Sequence, residues 1–150
     1  VSPADPGPGD RRDRRLRILA WSLFGLTIVG FLVRAGFDLA SDAARSDLEG
    51  GAAFDALLLA SPITGIVLVT KRPRNVLGWL MLGIGMTFGA TPGAPYARYA
   101  TLDRGGELPG AGLALAIESP SWVVFIGLSG FLMMLFPDGH LPTRRWRWFA

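Results

Sequence analysis

Apolar residues along this chain gather in four long runs, at about 16–34, 52–70, 76–92 and 118–136. Stretches rich in charge, proline and glycine separate them. At about 1.5 Å rise per residue, a helical run of roughly 20 residues matches the ~30 Å hydrocarbon layer of a bilayer. The pattern therefore predicts an all-α fold, a polytopic transmembrane helix bundle with four spans. The apolar-aromatic end, Trp148-Phe149-Ala150, reads as the start of a fifth span. Residues 1–15, with three prolines and two glycines in the first ten positions, read as a disordered basic tail.

The breaks between runs have recognisable chemistry. Pro73 lacks an amide donor and biases Arg72 away from helical angles, so the second span should stop near Lys71. Pro137-Asp138-Gly139 should stop the fourth. Pro62 lies inside the second span, where a neighbouring helix can satisfy the carbonyl it frees. In the third, Gly85-Met86-Thr87-Phe88-Gly89 is a small-xxx-small pattern that permits close helix approach, read as packing within one chain.

Charge placement orients the spans. Eleven of the fifteen basic residues lie in the segments 11–17, 71–74 and 144–147, which fall at alternate span boundaries. Eight of the twelve acidic residues lie in the intervening loops, from Asp38 to Asp55 and from Asp103 to Glu118. Positive segments are retained on the cytoplasmic side, so the chain is expected to be a multi-pass protein of the cell membrane with a cytoplasmic N-terminus. Trp21, Trp79, Trp122 and Trp146 sit near span ends, where an amphipathic ring is favoured. A signal peptide with Arg14-Arg15 ahead of its apolar core is the competing reading of the first span, and the further spans favour a retained helix.

Composition narrows the function classes. Half of the 150 residues are hydrophobic, only 18% are charged, and mean hydropathy is +0.36. A net charge of +3 and a pI near 10.2 could indicate nucleic acid, but the basic residues flank apolar runs instead of forming one face, so no nucleic-acid partner is expected. The lipid bilayer is the expected partner. The absence of cysteine excludes disulfides, thiolate metal sites and cysteine nucleophiles. His140 lies in a turn between Gly139 and Leu141-Pro142, and with Asp138 supplies too few ligands for a metal.

Candidate site residues are few. Lys71, Arg72, Arg74, Arg144, Arg145 and Arg147 set orientation and can contact anionic headgroups. Glu118, just before Pro120, has two readings: a carboxylate within the membrane that senses a ligand or proton, or a solvated interfacial residue. Arg34 can snorkel to water, and Asp55 lies near the same boundary. No catalytic, cofactor-binding or metal-binding residue is assigned.

Two segments, Thr70-Lys71-Arg72-Pro73-Arg74-Asn75-Val76-Leu77-Gly78-Trp79-Leu80 and Leu135-Phe136-Pro137-Asp138-Gly139-His140-Leu141-Pro142-Thr143-Arg144-Arg145-Trp146, resemble loops in the N-terminal membrane region of actinobacterial sensor histidine kinases. Val76 stands where that family usually has proline, and His140 where it often has arginine. The resemblance implies a membrane input and anchoring region of a two-component system, acting as a homodimer. ATP, Mg and the response regulator would engage only a downstream kinase domain. The alternative is a transporter or permease subunit, or a membrane protein of undefined chemistry.

Overall fold

The computed structural model describes residues 8–41, 48–89 and 93–135. These residues are almost entirely helical: α1 (Pro8–Ala40), α2 (Leu48–Lys71), α3 (Val76–Gly89), α4 (Gly93–Arg98), a π-helical turn (Tyr99–Asp103), α5 (Ala111–Glu118) and α6 (Ser121–Leu135). No strand occurs among them. Four stretches are long and apolar enough to cross a membrane: Gly9–Ala40, Ala53–Lys71, Val76–Asp103, of which 90–92 lie outside the described residues, and Ala111–Leu135.

The element boundaries amend the hydropathy reading in three places. Residues 8–15, expected in a disordered tail, form the first turns of α1. Proline is tolerated at a helix start, Asp10 complements the positive end of the helix, and arginine is a good helix former. The region after the third run, expected as a turn-rich outer loop with a short helical lead-in from Leu113 to Glu118, has that lead-in as α5 and is also helical through α4 and the π-turn. The fourth apolar stretch accordingly begins near Ala111 and not at 118. Ser119 keeps helical angles (φ −50°, ψ −40°) and its amide bonds to the Leu115 carbonyl at 2.8 Å, so Pro120 interrupts the stretch only briefly.

The α2–α3 hairpin is the tightest part of the molecule. Its turn is built by the motif residues themselves. The Arg72 amide closes α2 on the Leu68 carbonyl at 2.8 Å, and the Asn75 amide bonds to the Arg72 carbonyl at 2.9 Å. The Asn75 side chain then accepts the Leu77 amide at 3.0 Å, satisfying one of the free donors at the start of α3. Trp79 donates its indole N–H to the Pro73 carbonyl at 2.8 Å, folding the turn over the first turn of α3. Arg74 ties the turn to α1 through Asp13 at 3.1 Å. Both side chains are substantially exposed, so that pair contributes on the order of 0–1 kcal/mol.

Glycine lets the two helices meet backbone to backbone. A Cβ on Gly65 would lie 2.7 Å from the Leu82 nitrogen and 2.9 Å from the Gly78 oxygen. Gly85 faces the ring of Pro62, which is buried in α2, and Gly89 faces Thr27 and Phe31 of α1. The small-xxx-small pattern is therefore occupied by contacts within this chain. α2 runs through Pro62 without ending, and Ser61 donates a hydrogen bond to the Met81 carbonyl of α3 at 2.9 Å.

α3 is the central helix, packed on α1, α2 and α6. Two apolar clusters lie along it. Ala20, Ile66, Val69 and Leu82, flanked by Phe24 and Trp79, form one near the arginine-rich end of α1. Phe31, Leu58 and Phe88, with Leu59 and Phe125, form the other. Outward-facing residues are apolar as well: Val123 is 74% and Met133 79% exposed. In water such a surface would be costly, whereas lipid solvates it without penalty.

Candidate charged site at the end opposite the arginines

At about 1.5 Å per residue, the 17 residues from Arg17 to Arg34 carry α1 roughly 25 Å, most of a hydrocarbon layer. The 16 residues from Asp55 to Lys71 carry α2 about as far. Arg34 and Asp55 consequently share one end of the bundle, and Glu118, the last residue of α5, joins them there. Arg34 Nε lies 3.2 Å from Asp55 Oδ1, and an Arg34 guanidinium nitrogen lies 3.8 Å from Glu118 Oε1. The three side chains are 19%, 19% and 12% exposed. The other Glu118 oxygen accepts the backbone N–H of Ala94 in α4. Gly93 makes room for this, because a Cβ there would run into Glu118 Oε2 at 2.8 Å.

One cation thus serves two carboxylates from different helices. The Arg34 Nε and Asp55 Oδ1 atoms are buried and close but not aligned as a hydrogen bond, so their attraction is that of an ion pair. Glu118 is more firmly held, by a backbone donor on one oxygen and the guanidinium near the other. The segment from α4 to α5 folds over this end. Phe37 stacks edgewise on Tyr96 at 5.6 Å between centroids, Tyr96 donates its hydroxyl to the Pro109 carbonyl at 2.6 Å, and Ser41 donates to Asp103 at 2.6 Å. The arrangement binds α1, α2 and the α4–α5 segment into one unit. Among the described residues no group of three His, Cys, Asp or Glu side chains is placed to hold a metal ion.

The sequence candidates fare unequally. Glu118 is in the cluster at one end of the bundle, where its side chain is only 12% exposed and has two partners. Arg34, read as free to snorkel, is instead drawn inward by two carboxylates. Lys71, Arg72 and Arg74 are exposed around the α2–α3 turn at the other end. Arg144, Arg145, Arg147 and His140 lie outside the described residues, as do the Leu135 to Trp146 motif beyond Leu135 and the proposed fifth span at 148–150. Sequence reading missed the pairing of Arg34 with Asp55 and Glu118. The available signal was a lone cation and two lone carboxylates, each at the same boundary of a different apolar run.

Fold and site together define an all-helical membrane protein whose helices are tied at one end by a shared charge cluster. No family model matches the chain, and neither a curated protein nor a solved structure is found that is similar to it.

Proposed function

We propose that this chain is the membrane-embedded input and anchoring region of a signal-transducing histidine kinase, multi-pass in the cell membrane with its N-terminus in the cytoplasm. The observation that carries the reading is the Lys71 to Trp79 turn. The residues that resemble the kinase-family loop are the ones that make its internal bonds, with Pro73 accepting from Trp79 and Asn75 capping α3. The segment is thus a folded joint between two helices. The Arg34–Asp55–Glu118 cluster would be the outward-facing input point, because it links three separate parts of the chain. A stimulus that binds two arrangements of this cluster unequally would shift the packing of α1 against α2 and α3, and so the balance between kinase states of a homodimer. Phosphoryl transfer to a response regulator would belong to a downstream domain.

Two measurements test this. Membranes containing the product of the full gene are expected to incorporate acid-labile phosphate from ATP onto histidine. More apolar spans after Ala150, with no phosphorylation, would favour the transporter reading instead. Orientation is tested separately, aided by the absence of native cysteine. Glu107→Cys, on the exposed segment between the π-turn and α5, should react with an impermeant maleimide in intact cells, and Arg72→Cys only after permeabilisation. The reverse pattern would invert the topology.

A further inference from the structure

At the arginine-rich end, a groove of about 200 Å³ runs between α1 and α2, lined by Trp21, Ile66, Val67, Thr70 and Lys71. Its body is apolar. Ile66 forms the buried floor, and the exposed faces of Trp21 and Val67 form the walls. Thr70 contributes no polar demand, because its hydroxyl already donates to the Ile66 carbonyl at 2.7 Å. Trp21 is braced edge-on by Phe24 at 5.8 Å between centroids. The groove therefore has an aromatic ring as one wall.

Its mouth is cationic. Lys71 closes α2 one turn beyond Val67. On α1, Arg17 and Arg14 precede Trp21 by four and seven residues, which at 3.6 residues per turn places all three on one face. Arg14, Arg17 and Lys71 are exposed, and among the described residues no carboxylate pairs with them. Arg74, nearby in sequence, is by contrast engaged by Asp13. A slot that is greasy along its length, edged by Trp21 and ending at Lys71, with Arg17 and Arg14 on the same face of α1 as Trp21, has the charge and polarity pattern of an acidic phospholipid in reverse.

We propose that this groove is a binding site for one anionic phospholipid, with an acyl chain lying along Trp21, Ile66 and Val67 and the headgroup phosphate held by Lys71, Arg17 and Arg14. The assignment is independent of any kinase activity. It makes α1 and α2, at the end away from the charge cluster, responsive to the acidity of the surrounding lipid.

The test uses the whole chain in nanodiscs. Quenching by phosphatidylglycerol with brominated acyl chains is compared with quenching by equally brominated phosphatidylcholine. The Trp21 contribution is isolated by subtracting the Trp21→Phe protein, which keeps an aromatic wall. Trp21 is expected to be quenched preferentially by phosphatidylglycerol, and Arg17→Gln and Lys71→Gln should each lower that preference roughly fivefold. Leu113→Ala, exposed on α5 far from the groove, should leave it unchanged. Equal quenching by the two lipids, or a preference that survives the Arg17→Gln/Lys71→Gln pair, would overturn the site. Loss of the preference on adding millimolar inorganic phosphate at constant ionic strength would show a free-phosphate site instead, and would also overturn it. Unaltered far-UV circular dichroism of the glutamine variants keeps a null result interpretable.

Discussion

Arg34→Ala is expected to be the most damaging single change at the charged end of the molecule, more damaging than removal of either carboxylate. The asymmetry follows from stoichiometry. With Arg34 present, Asp55 and Glu118 each face a cation, at 3.2 Å and 3.8 Å. Without it, two largely buried carboxylates remain at one site with only the Ala94 amide to offset them. Breaking one side of a fully buried pair costs roughly 3–5 kcal/mol. The residual exposure of these side chains admits some solvent screening, so about 2–3 kcal/mol is the reasonable expectation here.

Glu118→Gln should cost less, about 1 kcal/mol, because the amide oxygen can still accept from Ala94 and Arg34 keeps Asp55. The check is unfolding in mild detergent by a denaturant series on the two single variants and on Arg34→Ala/Asp55→Ala/Glu118→Ala. The triple variant should recover part of the Arg34→Ala loss, since it leaves no uncompensated charge. If Arg34→Ala unfolds no more easily than Glu118→Gln, the cluster is not a structural tie, and its proposed role as an input point fails with it.

The second large effect is expected at Gly65. A methyl group there would sit 2.7 Å from the Leu82 nitrogen and 2.9 Å from the Gly78 oxygen, both backbone atoms of α3. A side chain in the way could rotate aside, but a helix backbone moves only as a body. Gly65→Ala should therefore force α2 and α3 apart, opening the contacts of Ile66 and Val69 with Leu82. The helix-forming preference of alanine recovers about 1 kcal/mol, and overpacking costs typically 1–3 kcal/mol. The net expectation is a loss of roughly 0–2 kcal/mol, toward the upper end because the atoms in the way are backbone. Gly25→Ala and Gly127→Ala are the matched controls, because a Cβ at either position meets nothing within 4 Å. Those two should be neutral or stabilising by up to about 1 kcal/mol. A Gly65→Ala protein as stable as its controls would mean that the hairpin is looser than its backbone contacts imply.

The stability of both regions depends on features of different visibility. Four apolar runs of about membrane length, with arginine at alternate boundaries, already dictate helices, since no other open structure satisfies its backbone polar groups in lipid. The stop at Lys71 and the start of α3 at Val76 were equally legible, because Pro73 and Asn75 act within a few residues of themselves. The extension of α1 back to Pro8 was not, since the hydropathy of arginine conceals its helix preference.

What the amino-acid order could not decide was which helix faces which. Glu118 stood out as a carboxylate near a span end, but whether water, lipid or a cation would meet it depended on where α1 and α2 were brought alongside. Arg34 and Asp55 lie 21 residues apart, and Glu118 a further 63 beyond Asp55. Nothing local in the sequence couples them. The coupling arises because α3 draws α1 and α2 against itself, with Gly65, Gly85 and Gly89 allowing contact that larger residues would forbid. Local chemistry thus set the helices, their ends and their taste for lipid. Close packing in three dimensions alone turned three isolated charges into a shared site.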